Sequence, residues 1–383
     1  SAMADVAAYT TNKDYIQAID ACWNDMVRKN IYITGGLGAA HQDFIEDYVL
    51  PNEMAYSETC ASVANVIWNQ RMFQLHGKSK YIDVLERSLY NGVLSGVSLE
   101  GNRFFYENRL ASQGTEKAPW ASRRSPWFRV ACCPTNIARL IPKIPGYIYA
   151  KAKDQIYVNL YMENEAEINL QGTKVNLSQK TEYPWKGKVI LTVDPGEKQD
   201  FGLKLRIPGW ARNKAMPGDL YHFKDSKDRS VEITVNGEKV ETQREDGYIV
   251  LEREWKAEDE VVINLPMECR IVEANEKVEA DRGKVAIQRG PIVYAAEWPD
   301  NPYGKVLDLV FNEKSELKAE FKPDMLNGVT VVTGKTSRLI KKADDRYYDR
   351  QTLTLIPYHV WANRGPGEMR VWIPVEKDGI PLE

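Results

Sequence analysis

The sequence predicts a multidomain chain of mixed α and β structure, helical over the first 150 residues and all-β beyond them. Three observations predict it. Apolar residues recur at helical spacing as far as about Tyr149, and from there short alternating runs bounded by Gly, Pro and Asn replace them. The length, 383 residues, suffices for two or three domains, each with its own core.

The first predicted helix runs from about Thr11 to Lys29, where Tyr15, Ile19, Cys22, Trp23 and Met26 share one face. Ser1-Ala2-Met3 reads as a cloning remnant ahead of an internal start and is set aside. Ile31 to Gly38 carries three glycines and no period, so it reads as a loop; a polar segment, His41 to Tyr48, follows, and Leu50-Pro51-Asn52 is a second break. A helix from Thr59 to His76 is marked by Cys60, Val63, Ala64, Ile67 and Leu75, and one from Lys80 to Leu94 by Ile82, Leu85, Leu89 and Val93. A fourth follows Pro134, starting near Thr135 and Asn136. Four helices cannot enclose a closed helical barrel, so the helical part reads as incomplete.

The strands follow in order. Gln155 to Tyr161, Lys188 to Val193 and Gly202 to Ile207 alternate in character, and Val231 to Val240 is a hairpin turning at Asn236-Gly237. Further strands are expected at Val261–Leu265, Lys284–Ile287, Pro291–Tyr294, Gly328–Val332, Thr352–Ile356 and Arg370–Ile373. About 230 residues of such text are enough for two stacked sandwiches, 151–269 and 270–383, divided near Cys269. There is no repeat of solenoid period and no low-complexity tract.

With 51 basic residues against 54 acidic, the net charge of -3 suggests neither a nucleic-acid nor a membrane-surface partner, and a neutral or weakly polar substrate fits better. The 10 tryptophans and 20 tyrosines suit sugar binding, although core packing explains them at least as well. Five cysteines are an odd number, and the adjacent pair bonds to itself only with distortion, so no disulfide framework is expected. No apolar run reaches the roughly 20 residues of a membrane helix, and no signal-peptide pattern opens the chain.

The chemistry gathers around two short motifs. In Ser57-Glu58-Thr59-Cys60 the carboxylate and thiol, two apart, share one side of an extended segment just ahead of a helix. Cys132-Cys133-Pro134 also precedes a helix, whose N-terminal dipole favours thiolates. Glu58, Cys60, Cys132 and Cys133 together make a tetrahedral zinc set, though without the paired spacing of a zinc ribbon; four ordinary buried residues explain the same pattern equally well. His41, His76, His222 and His359 are too scattered to form a cluster and are not assigned to a metal. Asp43, Glu46, Asp47 and Glu53 are acidic candidates near the first loop, and Glu86 lies on a predicted helix beside Arg87. Trp120, Arg123, Arg124 and Trp127 either line a site or form a polar loop.

Taken together, Tyr32-Ile-Thr-Gly-Gly, Leu50-Pro-Asn, Glu58-Thr-Cys-Ala-Ser, Leu89-Tyr-Asn-Gly-Val-Leu-Ser-Gly and Cys132-Cys-Pro-Thr-Asn resemble, in order and separation, the motifs of glycoside hydrolase family 127. The resemblance covers nearly the whole chain and implies the C-terminal part of an (α/α)6 barrel, its N-terminal helices missing, followed by two β-sandwiches. It implies a β-L-arabinofuranosidase of retaining mechanism, with Cys132 as nucleophile and zinc held by Glu58, Cys60, Cys132 and Cys133. Glu86 matches a further site glutamate of the family. The chain departs from the pattern at Gln42, which falls where the family has its acid/base glutamate, sixteen residues before Glu58. A glutamine cannot deliver that proton. An altered substrate or mechanism, Glu46 or Asp43 taking the role, and an inactive relative compete to explain it; an aceric acid furanoside would bring a carboxylate of its own. The rival reading is a carbohydrate-binding or structural module in which zinc only ties the helices to the sheets.

Overall fold

The computed structural model describes residues 1–39, 46–115, 123–227, 229–301, 304–342, 345–377 and 380–381. Its helices are α1 (Ala2–Thr10), α2 (Lys13–Asp25), α3 (Thr59–His76), α4 (Ser79–Arg87), α5 (Cys132–Leu140) and the single turn α6 (Pro145–Ile148). Two departures from the sequence reading occur at once. Ala2 and Met3, set aside as a remnant, belong to α1, and the helix expected from Thr11 begins at Lys13 because Thr11 adopts a left-handed φ of 51° and Asn12 caps α2. The buried stripe of α2 is also narrower than the spacing suggests. Ile19, Trp23 and the following Met26 face inward, while Tyr15 and Cys22 are exposed. Trp23 anchors the stripe, meeting Tyr81 edge-on at 4.7 Å and donating its ring N–H to Asn69.

Helix α3 has the bounds its spacing predicts and stops at Gly77, whose φ of 68° suits glycine. Its buried face is half polar, with Ser62, Asn65, Asn69 and Gln70 beside Val63, Val66, Met72 and Phe73, while Ala64 is exposed. Helix α4 runs on as a wide π turn (Ser88–Val93) and a 3-10 turn (Leu94–Gly96), burying Ile82, Leu85, Leu89 and Val93 as expected. No described helix is long and apolar enough to cross a membrane.

The strands, in chain order, are β1 (Ala111–Ser112), β2 (Tyr149–Ala152), β3 (Gln155–Val158), β4 (Asn164–Leu170), β5 (Thr173–Thr181), β6 (Lys188–Asp194), β7 (Gln199–Arg206), β8 (Tyr221–Phe223), β9 (Glu232–Val235), β10 (Glu238–Lys239), β11 (Gln243–Glu245), β12 (Tyr248–Trp255), β13 (Asp259–Asn264), β14 (Cys269–Ala274), β15 (Lys284–Arg289), β16 (Ile292–Glu297), β17 (Leu309–Phe311), β18 (Lys318–Lys322), β19 (Val329–Lys342), β20 (Asp345–Pro357), β21 (Met369–Arg370) and β22 (Ile373–Pro374). One sheet has the order β10-β9-β13-β6-β5-β4 and a second β11-β12-β7-β3-β2, where β3 and β7 run parallel. The hairpin β9–β10 turns on Asn236 and Gly237, both with positive φ, as its sequence demands.

The third and largest sheet follows β17-β19-β20-β16-β15-β14-β8. It draws β8 from the middle of the chain and, through β21, pairs with β1 from the helical segment, so it crosses both positions at which the sequence changes character. Side chains tie the segments further. Arg206 of β7, wholly buried, binds Asp83 at 2.8 Å and also Glu86 on α4, and Asn52 donates to Asp281 at 2.7 Å. The Arg124 guanidinium reaches the carbonyls of Ser95, Trp361 and His359.

Candidate metal and active site

The cysteine motifs meet where two helices begin. Glu58 is the N-cap of α3 with extended backbone, and Cys60 stands in that helix's first turn. Cys132 and Cys133 are the first two residues of α5. The sequence reading put all four just ahead of their helices; three lie inside them. Pro134 does not break α5, because first-turn N–H groups have no intrahelical acceptor to lose. Both helix N-termini therefore point their exposed N–H dipoles at the same spot, which favours negative charge there.

The four donor atoms all lie within 4.8 Å of one another. Cys60 Sγ is 3.4 Å from Cys133 Sγ, Cys132 Sγ is 3.8 Å from Cys133 Sγ, and Glu58 Oε1 is 3.3 Å from Cys132 Sγ and 3.8 Å from Cys133 Sγ. Four such donors this close together could hold a metal ion. The Cys133 thiol beside it lowers the Cys60 thiol from its ordinary value, and the Asn136 side chain adds to that lowering. Burial pushes Cys132 up to about 11, and Cys133, sharing its hydrogen with Cys60, is raised further. Ionising all three thiols beside a carboxylate requires a cation.

Two close approaches fix the first turn of α3. A side chain on Gly36 would fall 1.9 Å from the Ser57 hydroxyl, and one on Gly96 would fall 2.4 Å from Thr59, so glycine alone lets both segments pack against the neighbours of Glu58. Of the four cluster residues, Glu58 lines a cleft of about 300 Å³, together with Gly38, Tyr56, Ala64, Asn65 and Trp68. The Tyr106 hydroxyl stands 3.6 Å from Cys132 Sγ, and burial raises it well above the usual tyrosine range. Its ring meets those of Tyr56 and Phe128 edge-on at 6.0 and 5.5 Å.

The remaining candidates lie elsewhere. Glu86 is not brought to the cluster: buried on α4, it accepts from the Tyr183 hydroxyl at 2.7 Å and pairs with Arg206. Glu46 and Glu53 are exposed, and Asp47 pairs with Lys29. Arg123 and Trp127 are exposed, whereas Arg124 is a buried tie between segments. Gln42, Asp43, His41 and Trp120 lie outside the described residues. Sequence reasoning missed Tyr56, Tyr106 and Asn136. Tyr56 sits two residues before Glu58, and Asn136 one helical turn after Cys132; both spacings were available. Nothing in the irregular stretch around Tyr106 signals its place.

Comparison with known proteins agrees with this arrangement. Family models match residues 2–146 (beta-L-arabinofuranosidase, GH127 catalytic domain), 155–267 (GH127 middle domain) and 269–374 (glycoside hydrolase family 127 C-terminal domain). A non-reducing end beta-L-arabinofuranosidase of Bifidobacterium longum subsp. longum is 34% identical, over 97% of this chain and 57% of its own length. Among solved structures, a GH127 beta-arabinofuranosidase superposes with a TM-score of 0.93 at 49% identity, covering 97% of this chain and 58% of that one. A GH127 beta-L-arabinofuranosidase from Geobacillus stearothermophilus T6 gives 0.89 at 38%, covering 98% and 59%. The chain thus spans less than three fifths of the length of these relatives. Three consecutive family models that between them take in almost every residue place the chain in glycoside hydrolase family 127.

Proposed function

We propose that the chain carries the zinc and nucleophile centre of a retaining glycosidase acting on β-L-arabinofuranosides or a related furanoside of plant cell-wall glycans. The observation that carries this reading is the convergence of Glu58, Cys60, Cys132 and Cys133 at two helix N-termini. A zinc ion with sulfurs at about 2.3 Å sets the edges of a tetrahedron at about 3.8 Å between sulfurs and about 3.6 Å from sulfur to oxygen. Four of the six separations, 3.3 to 3.8 Å, lie close to those edges, and all six are within 4.8 Å. Relatives named as beta-L-arabinofuranosidases support the substrate class. In the same reading, the helices belong to an (α/α)6 barrel, of which 1–150 supply part, and 151–269 and 270–383 form two β-sandwiches.

Zinc bound by the four residues supplies the charge that keeps the thiols ionised. Cys132 Sγ attacks the anomeric carbon, the bond to the leaving oxygen breaks, and that oxygen takes a proton from a general acid. Water then displaces the sulfur, giving its proton back to the group that served as acid, and two displacements give net retention. Glu58, Cys60 and Cys133 hold the metal, and Tyr56 and Trp68 offer aromatic surface to the sugar in the cleft. With Gln42 in place of an acid, the proton comes from Glu46 or Asp43, or from a carboxylate on the substrate itself. Gln42 is also the feature that favours a sugar-acid furanoside such as one of aceric acid. Glu86 acts through its buried pairing with Arg206 rather than on the sugar.

Metal analysis tests the reading first: about one zinc per chain is expected, lost in Cys60→Ser. A chain that holds no zinc after dialysis against it sinks the metal assignment. Unchanged hydrolysis of an aryl β-L-arabinofuranoside by Cys132→Ala sinks the nucleophile.

A further inference from the structure

Asn108 lies in the irregular stretch between α4 and α5 and is wholly buried. A buried primary amide is costly unless its N–H groups and its carbonyl are bonded. Here they are. Nδ2 donates to the Ser57 carbonyl and to the Thr59 hydroxyl, each at 2.9 Å, and Oδ1 accepts from the Ser95 hydroxyl at 2.6 Å.

The two residues that Nδ2 grips are the chain neighbours of Glu58. Ser57 has a φ of 34°, in the left-handed region that a residue with a side chain adopts only when its surroundings impose it. Its N–H is tied to the Gly38 carbonyl at 2.8 Å, and the Asn108 backbone N–H adds a bond to its carbonyl at 3.3 Å. Thr59 passes its hydroxyl hydrogen to the Phe105 carbonyl at 2.9 Å, so the first turn of α3 is held from the same stretch. Glu58 makes no side-chain cap bond; its backbone is bridged to that of Glu107, next to Asn108 in sequence, and its carboxylate accepts from Cys132 Sγ at 3.3 Å. The backbone on either side presents that carboxylate to the sulfurs, and Asn108 holds both sides.

We propose that Asn108 is the positioning residue of the metal site, fixing the turn at Ser57 and the start of α3 so that Glu58 faces the three sulfurs. The inference rests on the metal reading above. Residues that orient metal ligands typically change affinity 10- to 100-fold when replaced, and that is the effect expected.

Cobalt(II) titration of the whole chain tests it, because its visible bands report the ligand set as well as affinity. Asn108→Asp keeps the shape and replaces the donating nitrogen with an oxygen that repels the Ser57 carbonyl. It should weaken cobalt binding about 10- to 100-fold and move the bands toward those of Glu58→Gln. The control is Asn91, equally buried and equally bonded, to the Arg87 and Pro291 carbonyls and the Val293 N–H, but remote from any ligand in sequence. Asn91→Ala should lower Tm and leave cobalt affinity and bands unchanged. Wild-type affinity and bands in Asn108→Asp overturn the inference and leave Asn108 a structural amide. Should Asn108→Asp fail to fold, Ser95→Ala, which removes the 2.6 Å bond to Oδ1 and a longer one to the Gly92 carbonyl, carries the test: a several-fold loss of affinity supports the inference, and none overturns it. A wild-type chain that takes up no cobalt overturns the metal reading and this inference with it.

Discussion

Strand β6 and helix α3 are both core elements, and they are buried by opposite means. Along β6, Val189, Leu191 and Val193 turn inward on every second residue, and the strand's backbone is satisfied by its neighbours β5 and β13. Along α3, half of the inward face is amide or hydroxyl, linked in a chain: Trp23 donates to Asn69, Asn69 to Asn65, and Asn65 to Ser88 and the Gly35 carbonyl. The inward side chains of β6 exclude water with apolar area alone. Around Asn65 and Asn69 the helix excludes it with a bonded network, in which each buried group left alone would carry its own desolvation cost.

The sharpest test of that difference is Arg206→Met. It removes the cation that Asp83 and Glu86 share in the seam between the two regions; Asp83 keeps Arg212 at 2.7 Å, but leaving Glu86 buried without its cation should cost about 3–5 kcal/mol in chemical denaturation. In the apolar region, Leu191→Ala should cost about 3 kcal/mol, a transfer and cavity effect. In the polar region, Asn65→Ala removes far less apolar surface yet should still cost about 1–3 kcal/mol, and Asn65→Leu should not recover it. If leucine at 65 restores stability, the network is filler and the contrast fails.

The smallest effect concerns His359, beside Arg124 and stacked with Trp185. Burial, and then the Arg124 charge, depress it from 6.5 to about 4. The unfolded chain thus binds this proton first, so stability present above pH 6.5 is lost as the pH falls toward 4. Melting temperatures should drop less over that window in His359→Asn.

The same contrast explains what could be read from the sequence. Alternation in β6 and β13 marks strands because one face of each is buried, and Asn236-Gly237 marks its turn because few other pairs accept two positive φ angles. The bounds of α3 were legible from Thr59 and Gly77, but its inward face was not, since apolar spacing singles out Ala64, which is exposed, and passes over Asn65 and Asn69. The metal ligands were legible as residue types. Their meeting was not, because spacing along the chain left them no more convincing than ordinary buried cysteines until the ordered motifs were weighed together. Tyr106 and Asn108 come from a stretch of no regular period, where only the folded chain reveals the partner.

Cys60 and Cys133 are 73 residues apart in the chain, yet their sulfurs are 3.4 Å apart. In an unfolded chain the four donors form no site, and gathering them costs the closure of a loop of that length. Affinity for a metal is therefore a property of the docked pair α3 and α5 rather than of the cysteines themselves, and a chelator competing for the ion would read out how firmly those two helix ends are held together.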